Sequence, residues 1–267
     1  VEEPDLKVMG ILNVTPDSFS DGGVNFSIGD AVESAKQMVA DGVDIIDVGG
    51  ESTRPGSESI TVEEELRRVI PVIQKIKNLG VPISIDSYKL EVVEKAFDAG
   101  ASMLNDVYGL RTLGMPELAA KHDVPVVIMH MQGMPISMQE NPKYDNVVGD
   151  IKKFFEKQVD VALKAGVKKE NIILDPGIGF GKTLGHNLEI LKNIKEFKTL
   201  CYPILVGHSR KRFIGDILEI PVEERGPATL AISTYLALQG VDYIRVHDVR
   251  ETVEMRKILE AVSYENV

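Results

Sequence analysis

Eight apolar stretches recur along the chain: VMGILNV (8–14), DIIDVGG (44–50), PISIDS (82–87), SMLNDV (102–107), PVVIMHM (125–131), NIILDPG (171–177), PILVGHS (203–209) and YIRVHD (243–248). Each is rich in Val, Ile, Leu or Met and nearly continuous rather than alternating, the pattern of a strand buried on both faces. Between them apolar residues return at three- and four-residue spacing, as in 62–80 and 146–166, which predicts amphipathic helices. Gly42, Gly80, Gly100, Gly166 and Gly240 stand where such helices would end. Regular strand–helix alternation predicts an α/β fold with a parallel sheet, and eight units predict closure into a (β/α)8 TIM barrel. A doubly wound open sheet is the alternative. No low-complexity linker or charge block divides the chain, so one domain is expected over residues 1–267.

Composition adds limits to this pattern. The 267 residues fit a barrel of roughly 250 residues. A hydrophobic share of 43% with 27% charged residues is ordinary for a globular chain. No stretch is long and apolar enough for a membrane span, and the acidic start VEEPDLK is unlike a signal peptide, so a soluble, cytoplasmic protein is expected. The single cysteine, Cys201, excludes an intramolecular disulfide and reads as a small apolar residue before a strand. A net charge of −11 disfavours nucleic acid or an anionic membrane as partner. An anionic ligand would have to be captured locally.

The apolar runs all end on polar residues: Asn13, Gly49-Gly50-Glu51, Asp86, Asn105-Asp106, His130, Asp175, Ser209, and Arg245 with His247. Any one of these could be a turn former or helix cap. Together they match a barrel whose catalytic residues come from the C-terminal ends of different strands. Asp86, Asn105 and Asp175 would form a mixed donor and acceptor array suited to a flat heterocycle with adjacent NH and NH₂ groups; metal ligation and helix capping compete. Arg245 and His247, two apart on one strand, share a side and suit a phosphate or diphosphate, near the basic run Ser209-Arg210-Lys211-Arg212.

Other motifs subtract possibilities. PGIGFGKT (176–183) ends like a P-loop, but Pro176 replaces the required first glycine, so no phosphate-cradling turn is encoded. NVTPDSFSDGG (13–23) is a polar loop carrying Asp17, Ser18, Ser20 and Asp21, with Phe19 as a lid contact or a loop anchor. Met129, Met131 and Met134 could cushion a planar ligand or belong to the core. His122, His186 and His208 lack metal-ligand spacing, and no Gly-x-Ser-x-Gly elbow is present.

Taken together, NVTPDSFSDGG, GGESTRPG, ISIDSYK, LNDV, MHMQGMP, LDPGIGFGKT, VGHSRKRFIG and YIRVHDV closely resemble the dihydropteroate synthase family over residues 8 to 255. The resemblance implies an enzyme of folate biosynthesis that joins 7,8-dihydropterin-CH₂-diphosphate to p-aminobenzoate, with Mg²⁺ as cofactor and sulfonamides as inhibitors. It implies a pterin pocket of Asp86, Asn105, Val107, Met129, Asp175, Lys211 and Arg245, and a diphosphate and metal site of Asn13, Thr53, Arg245 and His247, with Asp17 near. Two loops, 15–24 and 51–59, would complete it, with Asp21 catalytic and Phe19, Thr53, Arg54, Pro55, Phe180 and Arg212 around p-aminobenzoate. Many members carry Ser where this chain has Arg212. A homodimer is expected too, since ATLAISTYLALQ (228–239) is apolar around much of its circumference. A methyltetrahydrofolate-type methyltransferase shares the barrel and the Asp, Asn, Asp array but needs neither STRPG, SRKR nor the Arg245 and His247 pair. A non-catalytic pterin-binding protein is the other alternative.

Overall fold

Continuous apolar runs become strands here because one face packs on helices and the other on the barrel interior. The computed structural model describes residues 6–15, 28–52, 57, 59–133 and 138–263. Its strands are β1 (Lys7–Asn13), β2 (Ile45–Gly49), β3 (Ile83–Asp86), β4 (Met103–Asp106), β5 (Val126–Met129), β6 (Ile172–Asp175), β7 (Leu205–Gly207) and β8 (Tyr243–Val246). They lie within or one residue beyond the eight predicted stretches, and all pair in parallel in the order β6-β5-β4-β3-β2-β1-β8-β7. A parallel bridge between Leu174 and Ile204 joins the two ends, and the Leu174 N–H donates to the Pro203 carbonyl at 2.9 Å. The sheet is therefore a barrel, and the open-sheet alternative falls.

Helices fill the crossovers: α1 (Ile28–Ala40), α2 (Val62–Ile76), α3 (Leu90–Ala99), α4 (Met115–His122), α5 (Val147–Lys164), α6 (Leu184–Lys192), α7 (Lys195–Lys198), α8 (Arg212–Leu218), α9 (Gly226–Leu238) and α10 (Val249–Ser263). The two helices predicted from periodicity begin on side-chain caps. Thr61 accepts from the Glu64 N–H at 3.2 Å before α2, and Asn146 from the Gly149 N–H at 2.9 Å before α5. The five glycines expected at helix ends all have positive φ. None of the described helices is long and apolar enough to cross a membrane.

Alternation along the strands places the site. Ile46, Val48, Ile85, Leu104, Ile128, Leu174, Val206 and Ile244 belong to the outer core shared with the helices. Met9, Ile45, Met103, Val127, Ile173 and Leu205 form a separate interior cluster with Tyr243 packed against it. This plug is one apolar layer across the barrel. Residues two positions further along each strand point the same way, toward the C-terminal mouth.

Candidate active site

The layer above the plug is polar. Ile45 is followed two residues on by Asp47, Met103 by Asn105, Ile173 by Asp175 and Tyr243 by Arg245. Asp86 joins them from β3, in register with Asn105. The Arg245 Nε donates to Asp47 Oδ2 at 2.6 Å and its Nη2 to Asp86 Oδ2 at 2.7 Å, while Asn105 Nδ2 donates to Asp47 Oδ2 at 3.0 Å. With its nitrogen held by Asp47, the Asn105 amide keeps its oxygen as an acceptor. Asp47 Oδ1 and Asp86 Oδ1 are buried and accept no hydrogen bond from the described residues. Leaving a buried acceptor unpaired costs about 1–3 kcal/mol, so these oxygens are poised for a ligand's donors.

Charge is displaced throughout this layer. Burial raises the Asp86 carboxyl to about 7, with Arg245 opposing and Asp47, Glu65 and Asp106 adding to the rise. Burial also raises Asp175, opposed by Lys211, by the Gly177 N–H and by Lys182. Burial pushes the Lys211 amine down to about 7, against the pull of Asp175. Displaced titrations of this kind gather at functional sites.

The basic residues separate. Ser209 Oγ lies 2.9 Å from His247 Nδ1, so the strand-seven turn holds the His247 ring at the rim. Arg210 pairs with Asp248 outside the mouth. Lys211 turns inward: its Nζ donates to the Ile178 carbonyl and lies 4.2 Å from the Phe180 ring centroid. Arg212 is 84% exposed and approaches Asp216 at 3.4 Å along α8. The SRKR run is thus not one anion site, and only Lys211 reaches the polar layer. Arg245, read from spacing as an anion ligand, commits two of its donor groups to Asp47 and Asp86.

Of the other expected residues, Asn13 ends β1 half-buried at the rim. Val107 and Met129 form an apolar wall with Met131 and Met138, against which Tyr88, Tyr108 and Phe180 pack. Phe19, Asp17, Ser18, Ser20, Asp21, Thr53, Arg54, Pro55 and Met134 lie outside the described residues. Glu51 faces away from the polar layer, pairing with Lys89 and accepting from the Tyr88 hydroxyl at 2.7 Å. Asp106 caps its own turn through the Tyr108 and Leu110 N–H groups at 2.7 and 2.8 Å. Cys201 is exposed at φ 59°, a turn position rather than a packed one.

Asp47 is the residue that strand-end reading missed. It sits inside an apolar run rather than at its end, yet Ile45, Asp47 and Gly49 share one face of β2. A carboxylate on the inward face was the available signal.

A family model described as pterin binding enzyme matches residues 9–247. Dihydropteroate synthase of Escherichia coli is 50% identical over 255 residues, covering 95% of this chain and 90% of that protein. The chain belongs to the dihydropteroate synthase family. Within that family, the Yersinia pestis dihydropteroate synthase solved with a sulfonamide drug complex superposes with a TM-score of 0.91 at 44% identity, covering 96% of this chain and 94% of that one. The Clostridium difficile dihydropteroate synthase solved in the presence of pteroic acid gives 0.90 at 47% identity, covering 96% of each chain.

Proposed function

We propose that this chain condenses 7,8-dihydropterin-CH₂-diphosphate with p-aminobenzoate to give 7,8-dihydropteroate and diphosphate. One observation carries the reading: a buried layer of Asp47, Asp86, Asn105, Asp175, Lys211 and Arg245 at the barrel mouth, with two unpaired carboxylate oxygens, in a chain of this family. Asp86, Asn105 and Asp175 present acceptors for a pterin's NH and NH₂ edge. Val107 and Met129 line its apolar side, Lys211 donates to a ring acceptor, and Arg245 covers its face. The methyltransferase alternative leaves His247, fixed by Ser209 beside this layer, without a role.

His247 and Asn13 mark the rim where the diphosphate would lie, with Thr53 assigned there by resemblance alone. Asn13 offers a single oxygen donor, and the described residues hold no group of three His, Cys, Asp or Glu side chains fit for a metal. A single side-chain oxygen suits Mg²⁺, which commonly takes one or two protein ligands and the rest from phosphate and water. Its chemistry when bound is neutralisation of charge on the leaving diphosphate. The dihydropterin ring delocalises the positive charge left on the exocyclic methylene, and the Asp86 and Asp175 carboxylates favour that charge electrostatically. The arylamine then attacks from the open side, where Phe180 packs on the Val107 and Met129 wall and where the resemblance puts Phe19, Asp21, Arg54, Pro55 and Arg212.

The exposed apolar residues Tyr235 and Leu238 of α9, with Ile258 and Val262 of α10, support a homodimer through this side of the barrel. A lone exposed thiol, Cys201, suits the reducing cytoplasm. An assay of both products tests the reaction itself: with both substrates, diphosphate and 7,8-dihydropteroate should form in equal amounts, and folded protein that forms no dihydropteroate would refute it.

A further inference from the structure

The short helix α8, which follows β7, is gripped at both ends by one side chain that the pterin reading leaves unused. Arg225, half-buried at the start of α9, donates from Nη1 to the Arg210 carbonyl at 3.1 Å and from Nη2 to the Ile220 carbonyl at 3.3 Å. The first carbonyl stands two residues before α8 and the second two residues after it. Between them the guanidinium crosses the helix at Gly215, where a Cβ would lie 2.2 Å from Nη2 and 2.6 Å from Cζ. Only glycine leaves it room. A planar fork of donors can bridge two acceptors in this way, whereas an ammonium offers one point charge. The root of the side chain is fixed as well: the Arg225 N–H donates to the Val222 carbonyl at 3.3 Å, and its own carbonyl accepts from the Thr229 N–H at 2.9 Å.

The carbonyl ahead of α8 belongs to a residue in a disfavoured conformation. Arg210 has φ 54°, in the left-handed region that a residue with a Cβ seldom occupies. Such a conformation persists where its surroundings fix it, and three side chains do so. Thr229 of α9 accepts from the Arg210 N–H at 3.0 Å, Asp248 takes its guanidinium, and Arg225 takes its carbonyl. The neighbours on either side serve the site. Ser209 Oγ accepts from the His247 N–H at 3.2 Å, and Lys211 reaches the Ile178 carbonyl and the Phe180 ring. The Lys211 stem runs close to the 176–183 loop, since a Cβ on Gly179 would lie 2.9 Å from its Cδ. A shift of α8 is therefore carried to the tip of Lys211.

We propose that Arg225 is a positioning residue for the pterin site: by tying the Arg210 and Ile220 carbonyls across Gly215 it seats α8 and holds Lys211 at the ring. It rests on the pterin reading and deepens it. The side-chain hydrogen bonds of Arg225 go to Arg210 and Ile220 rather than to the polar layer, so its contribution to binding passes through the turn.

Calorimetry with 6-hydroxymethylpterin tests this on Arg225→Lys and Gly215→Ala, each alone and combined with Lys211→Met. A lysine at 225 can hold one carbonyl at a time. Gly215→Ala keeps Arg225 but drives its guanidinium off the helix, while alanine itself favours a helix over glycine. Each change should weaken pterin binding about tenfold when Lys211 is present and by less than about twofold in the Lys211→Met background. Urea unfolding reports the fold separately, and any loss of stability should be the same in both backgrounds. Wild-type affinity in the folded variants would leave Arg225 a purely structural residue, and an equal loss of affinity in both backgrounds would remove Lys211 as its route; either overturns the proposal. A wild type that binds no pterin would instead sink the proposed function, and the ligand-free crystal structure of Gly215→Ala then judges Arg225: Lys211 Nζ displaced from the Ile178 carbonyl is expected, and an unmoved Lys211 overturns the role.

Discussion

Replacing Asp47 with alanine removes the acceptor for two donors at once, the Arg245 Nε at 2.6 Å and the Asn105 Nδ2 at 3.0 Å. A hydrogen bond involving a charged group contributes roughly 1.5–3 kcal/mol. Arg245 keeps its second carboxylate, Asp86 at 2.7 Å, so the penalty of about 3–5 kcal/mol for stranding a buried charge is not fully incurred. Removing the unpaired Oδ1 of Asp47 offsets part of the loss. The balance is about 2–3 kcal/mol of stability, a Tm drop of roughly 4–12 °C for a chain of this size. Freed of Asp47, the Asn105 amide can turn its nitrogen toward the mouth, and Arg245 can leave its place over the ring. Pterin binding should weaken by about 10- to 100-fold, or 1.4 kcal/mol for each factor of ten. Asp47→Asn keeps one oxygen acceptor and should fall between wild type and Asp47→Ala. Urea unfolding and calorimetry with a pterin measure both effects; Asp47→Ala with unchanged stability and pterin affinity within twofold of wild type would refute the role given to Asp47.

Other consequences can be checked separately. The Asp86 carboxyl is raised by burial to about 7, so the folded state binds that proton more tightly than the unfolded chain. Its carboxylate therefore weakens the fold increasingly as pH rises from the ordinary Asp value through about 7. Asp86→Asn should gain on the order of 1–3 kcal/mol at pH 8 and nothing near pH 4, while losing pterin binding; denaturant unfolding at the two pH values shows whether the gain has that sign. Wild type should lose pterin affinity on the alkaline side as the Lys211 ammonium, depressed to about 7, gives up its proton, and Lys211→Met should lack that limb. A limb that survives in Lys211→Met would assign it to another group. Leu238 is 63% exposed on α9, and Leu238→Arg should convert a dimer to monomer by light scattering at micromolar concentration, whereas a wild-type monomer would remove the dimer proposal.

The barrel was legible in the sequence because the strands are mostly buried on both faces, β8 with its half-buried Tyr243 and Arg245 excepted, so the runs read as apolar without help from tertiary context. The polar mouth was legible at Asp86, Asn105 and Asp175, since a polar side chain at the end of an apolar run stands out. Asp47 stood out less, being flanked by Ile46 and Val48, which face the helices; only the two-residue period shows that it lies one step above Ile45 in the interior. The Ser209 to Arg212 run misled for the opposite reason. Four neighbours in sequence diverge in space, because the turn sends Arg210 to Asp248 and the start of α8 sends Arg212 outward. Arg225 was hidden further, since it belongs to no motif and the Arg210 carbonyl that it holds lies 15 residues away, across a helix.

Placement of the pterin tests the site most directly. A crystal structure of the protein with a dihydropterin ligand should show the ring's NH and NH₂ edge bonded to Asp86, Asn105 and Asp175, with Arg245 over its face and Lys211 on a ring acceptor. A pterin bound outside the barrel mouth, or one turning that edge to solvent, would contradict it.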